Sequence, residues 1–251
     1  MKKIILCGCN GKMGRVIRNC VAGRDDCTIV AGIDLTEDNS AVFPIYRKIG
    51  DCEISADVII DFSHPSLLGD ILSYSITRKI PVVLATTGYS AEQVQSIHAA
   101  SEKTAVFFTF NMSLGVNLLV ELAKKATAVL GGQFDIEIIE KHHNQKIDAP
   151  SGTAIMLADA INETGGNGYQ YVYDRHSVVK KRDAKEIGIH AVRGGTIVGE
   201  HEVLFAGRDE LLSLKHTAMS KDIFAVGAIN AAVYLAGKQP GMYTMQQMLV
   251  D

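Results

Sequence analysis

Near its start the chain carries a short apolar strand that runs directly into a glycine turn. Residues 3–7 read K-I-I-L-C, and Gly8, Cys9, Asn10, Gly11, Lys12, Met13 and Gly14 follow. A helix is expected over residues 15–22, with Val16 and Ile17 facing inward, and a second strand over 28–33 that ends at Asp34. Three glycines at this spacing are weak evidence alone and gain meaning from the strands, helix and acid around them. The first permits a tight turn, the second lets a pyrophosphate approach the backbone, and the third lets helix and strand pack closely. Asp34 lies 20 residues beyond Gly14, about where a carboxylate would bond ribose hydroxyls. The competing interpretation is a tight strand–helix turn that holds no ligand. The order strand, turn, helix, strand and acid favours a dinucleotide, so NADH or NADPH is expected. Asp34 would repel the 2′-phosphate of NADP. Leu35 supplies no cation beside it, and Lys12 is the nearest candidate. NADH should therefore serve at least as well as NADPH.

The same alternation continues. Residues 36–52 read as a loop with a short strand around 42–46. Strands are expected at 56–62, 81–85 and 105–110, with helices at 66–78 and 91–103 between them. This implies a parallel, doubly wound sheet with ligands at the carboxyl ends of its strands. Thr86, Thr87 and Asn111 then line the same crevice as the glycine turn and could hold a nicotinamide carboxamide, although each taken singly reads as ordinary turn chemistry. His64, before a proline, reads as a loop residue.

A second feature stands mid-chain: E-K-H-H-N-Q-K-I-D-A-P-S-G-T-A, from Glu140 to Ala154. Residues 134–139 read as a strand and 154–161 as a helix, with Ser151 as its natural N-cap. Pro150 restricts Ala149 to extended geometry. The imidazoles of His142 and His143 and the amine of Lys146 should therefore stand at a strand end, shortly before a helix N-terminus. Free amides and partial positive charge there favour a carboxylate or phosphate, and Gly152 lets it approach. Histidine transfers protons near neutral pH. A polar strand end with a well-capped surface helix would explain any one of these residues, but not all of them together. A zinc site is not expected, because adjacent histidines on a strand face opposite ways and no third ligand has suitable spacing.

Helix 114–130 ends at Gly131 and Gly132, and the region after the central stretch is rich in strands: 169–173, 187–193, 196–198, 201–206 and 211–216, with turns at Gly194, Gly195, Gly199 and Gly207. Residues 180–185 are a charged, solvated patch. A final apolar helix over 224–236 should pack back on the first domain. The expected fold is α/β: an N-terminal Rossmann-type doubly wound parallel sheet plus an α+β substrate domain with an open mixed sheet. The dinucleotide domain is placed at 1–113 and 217–251, and the substrate-binding and oligomerisation domain at 114–216.

Length and composition agree. The 251 residues suffice for one large or two small domains. A net charge of −3 gives no reason to expect nucleic-acid binding. No apolar run is long enough for a membrane span, and the N-terminus lacks a signal peptide's cleavage region, so export is not expected. The five cysteines, Cys7, Cys9, Cys20, Cys27 and Cys52, are odd in number and show no Cys-x-x-Cys pair, which suits free thiols in the cytoplasm.

Taken together, the E-K-H-H-N-Q-K-I-D-A-P-S-G-T-A stretch, the G-C-N-G-K-M-G turn, A-T-T-G at 85–88, N-M-S-L-G-V-N at 111–117 and V-R-G-G-T-I-V-G-E-H at 192–201 resemble the segments of the dihydrodipicolinate (4-hydroxy-tetrahydrodipicolinate) reductase family of lysine biosynthesis. The resemblance covers essentially the whole length. It implies reduction of a cyclic dicarboxylate to tetrahydrodipicolinate by NAD(P)H, without a metal, in a homotetramer built through the substrate domain. It gives His142 the proton donor/acceptor role and Lys146 that of a second donor. His143, Gly152 and Thr153 fall on substrate-binding positions. Gly8, Cys9, Asn10, Gly11, Lys12, Met13, Asp34, Ala85, Thr86, Thr87, Thr109, Phe110, Asn111 and Met112 fall on nucleotide-binding positions. Many members carry glutamate and arginine where this chain has Asp34 and Leu35, and arginine at Lys12, which bears on NADP affinity. Other readings are a dehydrogenase of another amino-acid-derived substrate, such as homoserine or aspartate, and a regulator that binds NADH without consuming it. The first lacks the His-His-x-x-Lys to Ser-Gly-Thr arrangement, and the second needs no proton donor.

Overall fold

The computed structural model describes residues 1–36 and 41–250. Part of the loop expected over 36–52 therefore lies outside the described residues. The chain divides into two compact units, Met1–Leu114 with Asp222–Asp251, and Gly115–Lys221.

The first unit is built on a parallel sheet. Its strands are β1 (Lys2–Cys7), β2 (Cys27–Ile33), β3 (Ile45–Tyr46), β4 (Val58–Asp61), β5 (Val82–Leu84), β6 (Ala105–Phe108) and β12 (Gly241–Tyr243). They lie in the order β12-β6-β5-β4-β1-β2-β3. Helices α1 (Lys12–Ala22), α2 (Leu68–Arg78), α3 (Ala91–Ser101), α6 (Asp222–Leu235) and α7 (Met245–Val250) accompany it. Successive strand side chains point to opposite faces, and both faces are covered, so the strands are apolar without a break. Ile4, Leu6, Val58 and Ile60 pack with Ile17 of α1 and with Ala228, Ala232 and Leu235 of α6. Ile5, Ile59, Val82 and Leu84 pack instead with Ile71 of α2 and Ile97 of α3. Helix α6 approaches closely because it is rich in small residues. A Cβ on Gly227 would collide with the carbonyl oxygen of Met112.

The second unit is a mixed sheet with helices on one face. Its strands are β7 (Asp135–His142), β8 (Gln170–Val172), β9 (Glu186–Arg193), β10 (Gly199–Ala206) and β11 (Leu211–Ala218), in the order β11-β10-β7-β9-β8. β7 pairs parallel with β9 and antiparallel with β10. Ile136, Ile138, Ile187, Ile189, Val203 and Phe205 pack against α4 (Leu114–Leu130) and α5 (Gly152–Thr164). The alternate residues of these strands are largely charged and form ion pairs. Glu200 meets Lys141 and Lys215 at 3.2 and 2.9 Å, and Glu137 meets His190 at 2.7 Å.

Several elements differ from expectation. β7 runs three residues beyond Ile139, since Glu140, Lys141 and His142 continue the in–out alternation. Residues 196–198 form no strand. Gly199, expected as a turn, is the first residue of β10, where a Cβ would press on the His142 ring, 3.1 Å from its Nε2. The strand expected around 42–46 is reduced to Ile45 and Tyr46, while Val42 is exposed. α1 begins at Lys12, so the end of the glycine turn is already helical. β12 and α7 carry no strong periodicity and were not expected.

Candidate active site

The glycine turn closes the carboxyl end of β1. Gly8 takes a left-handed conformation, φ +76°, and a Cβ there would strike the carbonyl oxygen of Phe62. One on Gly14 would strike the carbonyl of Gly8. These two glycines serve the protein's own packing. Gly11 is different. It is the N-cap of α1, and no side chain caps that helix. The backbone amides at this end suit a pyrophosphate. Lys12 is exposed on the first turn, Met13 is half-buried, and Cys9 is buried against Gly32.

Asp34 stands at the end of β2. Its carboxylate accepts from the backbone N–H of Asn10 at 3.0 Å and from the N–H and hydroxyl of Thr36 at 3.1 and 2.9 Å. Partial burial pushes its pKa up, but the amides of Thr36 and Asn10 outweigh burial and hold it below the usual carboxyl value. Asn10 also donates to the carbonyl of Thr36 at 2.6 Å and accepts from Arg18 at 3.2 Å. The acid is thus ionised and fixed beside the glycine turn.

Asp61, at the end of β4, is almost fully buried. It accepts from the amide and hydroxyl of Ser63, from the Thr86 hydroxyl at 2.9 Å and from Tyr89 at 3.0 Å. Burial raises its pKa despite these bonds. Asp61 also receives the amide of Ala85 on its carbonyl, at 2.9 Å. The Thr86 side chain is therefore turned to Asp61, while Thr87 is exposed. After β6, the amide of Asn111 donates to the Thr109 hydroxyl at 3.4 Å, and the Asn111 side chain accepts from the amide of Ser113 at 2.8 Å. Phe110 projects to solvent and Met112 is buried.

In the second unit the E-K-H sequence puts Glu140 and His142 on the same side of β7. Glu140 is fully buried. Its Oε2 lies 2.6 Å from Nδ1 of His142, and its Oε1 accepts the Ser151 amide at 2.9 Å. Arg193, opposite His142 on β9, grips both oxygens at 2.8 and 2.7 Å and donates to the Asp148 carbonyl at 2.6 Å. Burial opposes ionisation of Glu140, but Arg193, His142 and the Ser151 amide prevail and keep its pKa below the usual value. Burial lowers the pKa of His142, Glu140 opposes this, and Lys146 and Arg193 add to it.

Lys146 pairs with Asp148 at 2.8 Å. His143 begins the loop and leaves a buried Nδ1 without a hydrogen-bond partner. Ser151 caps α5 through its hydroxyl, which accepts from the Ala154 amide at 3.2 Å and lies 2.9 Å from Nε2 of buried His201. The His201 and His142 rings meet edge to face at 5.2 Å. Burial and the neighbouring His142 push the pKa of His201 down to about 4. Gly152 is exposed on the first turn of α5, and a Cβ there would meet nothing within 4 Å. Thr153 beside it is half-buried.

The two halves of the sequence match the family profiles "Dihydrodipicolinate reductase, N-terminus" over residues 2–112 and "Dihydrodipicolinate reductase, C-terminus" over 115–249. The chain belongs to the dihydrodipicolinate reductase family. It is 50% identical to the 4-hydroxy-tetrahydrodipicolinate reductase of Clostridium novyi over 249 residues, covering 99% of this chain and 98% of that protein. The Caldanaerobacter subterraneus reductase is 47% identical over the same shares. A dipicolinate-bound dihydrodipicolinate reductase from Paenisporosarcina sp. TG-14 superposes with a TM-score of 0.82 at 25% identity, over 97% of each chain. The first unit is thus a nucleotide-binding domain of Rossmann type, and the chain is an oxidoreductase of this family.

Three residues escaped the sequence reading: Glu140, Arg193 and His201. For Glu140 the signal was present, since it stands two residues before His142 on a strand. Arg193 and His201 reach the site only through the pairing of β9 and β10 with β7. Among the described residues no group of three or more His, Cys, Asp or Glu is placed to hold a metal ion, and no helix is long and apolar enough to cross a membrane.

Proposed function

We propose that this oxidoreductase reduces 4-hydroxy-tetrahydrodipicolinate to tetrahydrodipicolinate. Bound NADH or NADPH would supply the hydride. The residues suit a dinucleotide: an N-terminus of α1 without a side-chain cap for the pyrophosphate, and an ionised, fixed Asp34 for the ribose. Loss of water from the substrate leaves an unsaturated ring. One ring carbon then takes the hydride and its neighbour takes a proton. His142 is the proton donor, and Lys146 is a second one. Lys146 and the α5 amides at Gly152 and Thr153 receive the substrate's carboxylates, with His143 beside them. Dipicolinate, bound by the Paenisporosarcina relative, is likewise a ring carrying two carboxylates.

The observation that carries this reading is His142 held at Nδ1 by a buried carboxylate, in the same unit as Lys146 and the open first turn of α5. It is tested by following NADH and NADPH oxidation with freshly condensed pyruvate and aspartate semialdehyde. NADH should give a kcat/KM at least equal to that with NADPH. His142→Ala should lower kcat by roughly 10²–10⁴-fold, the usual worth of a positioned acid, with a smaller change in KM. Unchanged turnover would overturn the donor role. We further propose a cytoplasmic homotetramer formed through the charged, helix-free face of the five-stranded sheet; light scattering on the purified chain measures its mass.

A further inference from the structure

The Glu140 carboxylate touches neither ring carbon nor carboxylate in the reaction just described, yet it accepts four hydrogen bonds in a fully buried position. An ionised carboxylate only accepts, so Nδ1 of His142 must carry the hydrogen that reaches it. That leaves Nε2 as the nitrogen that gains and loses a proton. Arg193 supplies the compensating charge without which a buried carboxylate would be costly. The second carboxylate oxygen takes the Ser151 amide, just before the first turn of α5.

We propose that Glu140 is a positioning residue: it locks His142 in the Nδ1–H tautomer, leaving Nε2 to deliver the proton, and it sets the N-terminus of α5 from the same side chain. This rests on His142 being the donor. In the step, the Nε2–H bond of the imidazolium breaks as a C–H bond forms beside the carbon that takes the hydride. The electrons of that C–H bond come from the ring's unsaturation. The imidazole is left neutral with Nδ1–H still on Glu140, and water returns a proton to Nε2. The charged or titratable groups around the imidazole are Glu140 on its own strand, Arg193 on β9, His201 on β10 and Lys146 in the loop. Glu140 is the one anion among them, so it alone favours the imidazolium.

The first test is nitrogen NMR of histidine-labelled, full-length wild-type protein, with His142→Ala used for assignment. Above its pKa, His142 should show a protonated Nδ1 and a bare Nε2. The opposite tautomer overturns the proposal, whatever the activity. The second test is Glu140→Gln. Its kcat should fall at least about tenfold, less than the roughly 10²–10⁴-fold cost of losing the acid itself. The limb on which activity falls with rising pH should move to lower pH, because the anion favouring the imidazolium has gone. Glu140→Asp, which restores the charge, should bring that limb back toward wild type. A Glu140→Gln enzyme with wild-type kcat and an unmoved limb would sink the idea. If that variant does not fold, the wild-type tautomer still decides. Full turnover in His142→Ala would count against the donor reading and not against the tautomer, so the two failures are distinguishable.

Discussion

His201 shows how one buried side chain ties the site to pH. It is 4% exposed, lies 2.9 Å from the Ser151 hydroxyl, and has a pKa of about 4 against an ordinary value of 6.5. The folded state therefore resists protonating it, whereas the unfolded chain does not. Stability that is complete above about pH 6.5 is lost as pH falls toward 4, by up to roughly 3 kcal/mol at 1.36 kcal/mol per pKa unit. Comparing the pH dependence of urea unfolding in wild type and His201→Gln isolates the effect, and the variant should show a flatter slope between pH 6.5 and 4. The carboxylates with depressed pKa, such as Glu140 and Asp34, act in a lower window and in both proteins. At this scale the sequence was partly readable. The H-H-x-x-K spacing announced titratable chemistry, and Ser151 announced a cap. Arg193 and His201 could not be placed, because a residue 50 positions away enters a site only once strand register is fixed.

Among the elements, α5 depends most on a single side chain. Ser151 caps it, is 2% exposed and also meets His201. Ser151→Ala removes the cap, a loss of about 0.5–2 kcal/mol, and strips a buried imidazole of a partner. A destabilisation at the upper end of that range is expected, measured as a lower urea midpoint with an unchanged slope. Binding of dipicolinate should weaken as well, since the first turn of α5 loses its anchor. Elements with a strong period were legible: β1, β4 and α4 stand nearly where the apolar pattern put them. Those that depend on tertiary pairing were not. β12 has only three residues, Gly241–Tyr243, and its strand character comes from pairing with β6. Gly199 looked like a turn because glycine's commonest use is conformational, whereas here it makes room for the His142 ring.

On the scale of the whole molecule, the first unit is assembled from both ends of the chain. Helix α6 supplies Ala225, Ala228, Ile229, Ala231, Ala232 and Leu235 to one of its two core faces, and β12 extends the sheet beyond β6. The N-terminal family profile stops at residue 112 and so covers a segment that lacks half of this cover. A fragment of residues 1–114 should therefore fail to fold. It would expose the Ile4, Leu6, Val58 and Ile60 face, bind apolar dyes and show no cooperative thermal transition, and adding residues 222–251 in trans should restore one. A sharp transition in the fragment alone would contradict this. The seven-stranded sheet has a further consequence on the ribosome. Its first 114 residues emerge with one face covered by α1 alone and stay so until residues 222–251 follow, while the intervening 107 residues can mature as they appear. Synthesis can thus invert the usual order: the unit of residues 115–221 can close before the one whose strands were made first.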